Sequence, residues 1–229
     1  MSDNATTSRA RNRRALRTAL GVVNIVAAIV VTLALGYNIG DRVDQNAFIE
    51  THYFGFFTVQ TTILDIAVLA VGGIYALTRA TDTCWYTAVR ACTVAYAFIV
   101  GGVYNLMLTG FPPVDGYIPT STIPNDLQHV WIPLFLVAEW IVMPGRAAIR
   151  WRVVGLGLLF PVVWAAATFA RGTLFDGWFP YFFINPNRVG VFGVLGYLSA
   201  MAVIMAAVTA LAIIVTPGRR ATLAVASAS

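Results

Sequence analysis

The sequence predicts an all-α fold, a polytopic membrane protein of six transmembrane helices with both termini cytoplasmic. Three observations predict it. Of 229 residues, 59% are hydrophobic and 11% charged, against about 45–50% apolar and about 25% charged in soluble domains. Six separate apolar runs approach or exceed the ~20 residues that a spanning helix needs. The basic residues cluster beside alternate runs. So little charge cannot coat a water-facing surface of normal size, which excludes an ordinary soluble enzyme and a disordered chain. All 15 basic residues are Arg. The net charge of +5 could suit nucleic acid, but the clustering is a topology signal, and no nucleic-acid partner is expected.

Residues 1–17 form an Arg-rich cytoplasmic N-terminus, with Arg9, Arg11, Arg13, Arg14 and Arg17. The apolar run after them is too long for a signal peptide and reads as the first span, 18–38. The others are 56–78, 88–109, 127–144, 153–170 and 190–215, each ending at Arg, Pro, Gly or a polar cluster. The fourth is the shortest and carries Pro133 and Glu139. The transmembrane domain is thus 18–216, followed by a cytoplasmic tail, 217–229. Arg79, Arg90, Arg146, Arg150, Arg152, Arg219 and Arg220 share a side with the five N-terminal Arg, and only Arg42, Arg171 and Arg188 face the other. That asymmetry puts both termini inside, in a multi-pass protein of the cell membrane. The outer loops are 39–55, 110–126 and 171–189. In them, 111–117 and 177–186 read as packed turns. Trp178 to Phe183 reads either as an interfacial aromatic belt or as a lid over an outward cavity.

Polar residues within spans are costly and therefore candidates. Thr58, Thr61, Thr62 and Asp65 share one face of the second span. Their hydroxyls either bond backbone carbonyls as helix glue or line a site. His129 enters the fourth span; His52, in an outer loop, reads as solvated. Thr58 and His129 are each two residues inside their spans, roughly 3 Å below the outer helix ends. They could form a nucleophile and its base, although a single packing His is the plainer reading. Free amides at the start of the fourth span are one candidate for an oxyanion site. Asp126 either orients His129 as the third member of a triad does or caps the helix. Asp65 and Glu139 lie deeper, roughly 13 and 18 Å inward. With no Arg expected at that depth, both should be protonated and bonded to groups such as Asn105, Tyr104 or Thr61, or near water. Arg171 and Arg188 could clamp a substrate carboxylate, or pair within the loop, as with Asp176. Cys84 and Cys92 read as free thiols. Two His are too few for a multi-His metal site, and neither metal nor organic cofactor is expected.

Phe54-Gly55-Phe56-Phe57-Thr58-Val59-Gln60-Thr61 resembles the F-x-x-F-T-x-Q-S entrance of the second helix in the androgen-induced, FAR-like membrane proteins. His129-Val130-Trp131-Ile132-Pro133 resembles their histidine-to-proline start of the fourth helix. Trp178-Phe179-Pro180-Tyr181-Phe182 is similar to their aromatic-proline motif before the last. The resemblance covers nearly the whole chain and is closest to the actinobacterial-type branch. It implies six helices with cytoplasmic termini. Animal members are threonine hydrolases of fatty acid esters of hydroxy fatty acids, and their catalytic Thr and His map to Thr58 and His129. The His-to-Pro spacing is one residue shorter here, Pro and Tyr of the last motif are exchanged, and Asp126 stands where a companion histidine is expected.

Two functions therefore compete. The first is an integral-membrane hydrolase of lipid esters, with Thr58 as nucleophile, His129 as base and an amphipathic lipid substrate drawn from the bilayer. The second is a non-enzymatic membrane protein, either a small proton-linked transporter using Asp65 and Glu139 or a partner subunit.

Overall fold

The computed structural model describes residues 2–110 and 116–216, with side chains described from Thr7 onward. Among the described residues the fold is all-helical, with no strand. The packed turn expected at 111–117 lies mostly outside the described residues, as does the tail from residue 217.

Helix α1 runs Ser2–Asp44, so the Arg-rich N-terminus is the opening of the first apolar helix rather than a separate segment. A single turn, α2, follows at Glu50–Tyr53. Helix α3, Phe57–Thr78, packs along α1. Small residues permit this approach: a Cβ on Gly21 would lie 2.8 Å from Ala76 Cβ, and one on Gly73 would lie 2.5 Å from Ile25 Cδ1. Close backbone contact of this kind is what joins helices where the surroundings are as apolar as the side chains.

Helix α4, Cys84–Val103, starts four residues before the third expected span because the Thr83 hydroxyl accepts the Tyr86 amide at 3.4 Å as its cap. It is central, packing on α3 and on three later helices, and it ends in a π-helical turn, Tyr104–Leu108. The fourth expected span begins earlier too, and it is in pieces: α5 (Ile123–Asp126, with Pro124 in its first turn), a second π-turn (Leu127–Trp131) and α6 (Ile132–Val142). Pro133 explains the break. It has no amide to give the carbonyl of His129, and Asn105 Nδ2 reaches that carbonyl instead at 3.3 Å. Helix α7, Arg152–Leu174, and helix α8, Pro186–Ile214, complete the bundle; α8 is interrupted at Gly190, whose φ is 70°.

Five helical stretches are long and apolar enough to cross a membrane: Thr7–Asp44, Phe57–Thr78, Cys84–Leu108, Arg152–Leu174 and Pro186–Ile214. Large apolar side chains such as Leu33, Leu159, Val163, Phe192 and Val203 stand exposed on these helices, as lipid-facing surfaces require.

The Arg-rich end of the bundle is closed by buried charge. Arg17 Nη2 pairs with Asp82 Oδ1 at 2.5 Å, while its Nε and Nη1 donate to the carbonyls of Arg79 and Pro144. Arg90 bridges Asp82 Oδ2, at 3.4 Å, and Glu139 Oε2. Asn24 Nδ2 donates to Glu139 Oε1 at 3.1 Å. This corrects the expectation of an isolated Glu139 with no Arg in reach. Because α4 begins at Cys84, Arg90 stands in its second turn, level with the inner part of α6.

Candidate functional site

At the opposite, Arg-poor end, α3 enters from an extended Phe56 (φ −68°, ψ 132°) that makes no side-chain cap. The first-turn amides of the helix therefore look for partners outside it. Thr58 finds one in Tyr181: its amide donates to the phenol oxygen at 3.3 Å, and its Oγ lies 3.3 Å from the same oxygen. Thr58 is 7% exposed.

Tyr181 comes from the aromatic loop between α7 and α8. It is held by Phe183, stacked at 5.0 Å, and by Phe56 and Trp164 at 5.7 and 6.0 Å between ring centroids. Burial raises its pKa above the ordinary phenol range, against the pull of its contacts with Thr58, so the phenol remains protonated. Phe179, Tyr181, Phe183 and Ile184 are all buried. The loop is thus a packed plug against α3 and α8 and not only a belt at the interface.

His129 sits within the second π-turn, a distortion often found at functional sites. Its Nδ1 is 2.9 Å from the Asn125 carbonyl, and its ring stacks on Tyr104 at 4.1 Å. A carbonyl only accepts, so Nδ1 carries the hydrogen and Nε2 holds the free lone pair. Asn125 also donates to the Tyr104 hydroxyl at 2.6 Å, tying both sides of the imidazole stack to one residue.

Thr58 and His129 are not hydrogen-bonded to each other. They share a wall between two cavities, together with Tyr181 and Leu108. One cavity, about 390 Å³, lies among α4, α7 and α8 and is otherwise apolar, with Ile99, Leu158, Val194 and Met205 among its walls. The other, about 480 Å³, is the more polar of the two: Asn38, Arg42, Gln128 and Arg188 line it beside apolar residues such as Phe56, Leu108 and Phe182.

The remaining candidates fall elsewhere. Asp126 makes no side-chain cap bond, and the carbonyl of Asn125 does the orienting expected of it. The amides of Leu127 onward are not free, because the helix extends back to Ile123 and Leu127 N already donates to the Ile123 and Pro124 carbonyls. Asn105, expected to be buried, is exposed and donates to the carbonyls of Gly101 and His129. Arg171 lines neither cavity. It pairs with Asp176 at 2.5 Å, donates to the Thr51 carbonyl at 2.6 Å and lies over Trp178. Arg188 is exposed at the polar cavity and makes no ion pair among the described residues. Thr61 bonds the Phe57 and Thr58 carbonyls, each at 3.0 Å, as helix glue would. Asp65 is buried with its Oδ1 unpartnered, and it lines neither cavity. His52, expected to be solvated, stacks on Trp178 at 4.4 Å with 7° between the rings.

Reading the sequence for the site missed three contributors: Tyr181, Tyr104 and the backbone of Asn125. Only Tyr181 carried a signal, since it lies in the Trp178–Phe183 run, but that run read as an interfacial belt or a lid and pointed to no single residue. No family model, curated protein or solved structure matches this chain.

Proposed function

We propose that this protein is a six-span integral-membrane hydrolase of amphipathic lipid esters, related to the androgen-induced, FAR-like proteins, with both termini in the cytoplasm of a cell whose surface membrane it crosses. The observation that carries the reading is the shared wall: one hydroxyl and one imidazole with a free Nε2 stand where an apolar cavity meets a more polar one. An ester with a long acyl chain has the same division. Its chain occupies the apolar cavity and its alcohol portion the polar one, which brings the carbonyl between Thr58 and His129. The pieces at 123–142 serve as the fourth of the six spans.

Thr58 Oγ attacks the acyl carbon while His129 Nε2 takes the hydroxyl proton. The proton then passes to the departing alkoxide, giving the alcohol and an acyl-Thr58 ester. Water, deprotonated by His129, attacks that ester; the bond to Thr58 Oγ breaks, that oxygen takes the proton back from His129, and the fatty acid is released. The gap between Thr58 and His129 is closed when substrate binds, as catalytic contacts commonly are.

The test is turnover of fluorogenic acyl esters by the purified protein in nanodiscs, together with labelling by an acyl fluorophosphonate and mapping of the modified residue. Labelling at Thr58 supports the reading; turnover that survives Thr58→Ala and His129→Ala excludes it. Transport through Asp65 and Glu139 is the weaker reading, because Glu139 is held by Arg90 and Asn24.

Two results are expected from the cavities. Ala165→Phe fills part of the apolar one, so kcat/KM for a hexadecanoyl ester should fall about ten-fold or more, on the basis of ~0.8 kcal/mol per buried methylene, while a butanoyl ester is little affected. Arg188→Ala should raise KM about ten-fold for an ester bearing a carboxylate on its alcohol portion and leave a neutral ester unchanged, since a charge-assisted hydrogen bond of ~1.5 kcal/mol is lost. Equal effects on both chain lengths, or on both charge types, would contradict these assignments.

A further inference from the structure

We infer that Tyr181 is the oxyanion donor of the reaction, an assignment that rests on the hydrolase reading above. The Thr58 amide can only donate, so in its 3.3 Å contact the Tyr181 oxygen accepts. The phenol proton is then left for an acceptor on the other side. Among the described residues the acceptor in reach is Thr58 Oγ, also at 3.3 Å, well beyond the roughly 2.7–2.8 Å usual between two hydroxyl oxygens. A buried phenol that accepts from the backbone at Thr58 and Phe57 and meets a distant hydroxyl as its acceptor has a proton to give to something better placed.

The tetrahedral intermediate supplies it. As Thr58 Oγ bonds the acyl carbon, the carbonyl π pair moves to oxygen, and the oxyanion becomes a direct neighbour of Oγ on the same carbon. A donor already near Oγ reaches it with little movement. Tyr181 keeps its proton throughout and only shares it. When the intermediate collapses, C=O re-forms, the bond to the alcohol oxygen breaks, and that oxygen takes its proton from His129.

The position is preorganised, which is what gives such donors their effect. The backbone at Tyr181 is extended (φ −139°, ψ 148°). Its ring is fixed among Phe56, Phe183 and Trp164. The side chain borders both cavities, on the wall where the carbonyl would lie. The Thr58 amide, donating into the phenol oxygen, both aims the remaining proton and makes the phenol a stronger donor.

The test compares wild type, Tyr181→Phe and a variant with 3-fluorotyrosine at position 181, all in nanodiscs. Tyr181→Phe should lower kcat for an acyl ester by about 10²–10³-fold and leave KM within about two-fold, as expected of an interaction made only in the transition state. An acyl trifluoromethyl ketone, which forms a tetrahedral adduct with Thr58, should bind more weakly by a similar factor. A non-hydrolysable ether analogue should bind unchanged, and 3-fluorotyrosine, which keeps the donor, should restore turnover. Unchanged kcat in Tyr181→Phe overturns the assignment. So does a fall in which ether affinity and thermal stability drop together, because that is loss of packing. Wild-type protein that turns over no ester and is not labelled at Thr58 overturns the hydrolase reading itself, a result distinct from a fully active Tyr181→Phe.

Discussion

Thr58→Ala should lower acyl-ester turnover by on the order of 10⁴-fold or more, as loss of a hydroxyl nucleophile does, while Thr58→Ser retains measurable activity. His129→Ala should cost less, about 10²–10⁴-fold, the usual contribution of a positioned base. The two losses should not add, because a base has nothing to activate once the hydroxyl is gone. Among the described residues the hydroxyl makes one hydrogen bond, the 3.3 Å contact with Tyr181, which is too long to be strong, and the phenol that loses it borders a cavity where water can replace it. Unfolding temperature in detergent should therefore shift little. This separates loss of chemistry from loss of fold. A Thr58→Ala protein with full turnover would leave the shared wall without a catalytic role.

The apolar runs were legible because a spanning helix must satisfy its own backbone and face lipid with apolar side chains over most of its length. Five of them appear as long helices close to where hydropathy puts them. Helix ends were less legible. The first helix continues to Asp44, α4 begins at its Thr83 cap, and the fourth expected span starts at Ile123, each because polar residues continue or open a helix that hydropathy does not register. Those few residues matter. Extending α4 backwards carries Arg90 into the bundle, and extending the fourth helix to Ile123 puts Asn125 one turn before His129, where its carbonyl meets Nδ1. A backbone carbonyl has no sequence signature, so the side chain of Asp126 drew attention instead. Thr58 and His129 were recognisable from depth and motif, but their common border on two cavities depends on a loop more than 120 residues from Thr58, which no local pattern encodes.

Arg90→Met should be the most destabilising single change in the bundle, by about 3–5 kcal/mol, the cost of stripping a buried ion of its partner. Arg90 and Glu139 are each 2% exposed, and neither can turn to water when the other is removed. The consequences are unequal. Without Arg90, the one hydrogen bond left to Glu139 among the described residues is from the amide of Asn24, with Arg146 acting on it only through space, whereas Asp82 remains paired with Arg17 at 2.5 Å. Without the Glu139 charge, Arg90 still has Asp82 at 3.4 Å. Glu139→Gln, which preserves shape and the Asn24 contact, should therefore cost only about 1–3 kcal/mol. In Arg90→Met/Glu139→Met the uncompensated charge is gone and apolar volume replaces it, so the double variant should be more stable than Arg90→Met alone. Equilibrium unfolding in mixed micelles, run as a double-mutant cycle, measures this directly. Strictly additive losses would mean that the two side chains do not interact, and that the closed Arg-rich end is held by the carbonyl contacts of Arg17 and Arg146 instead.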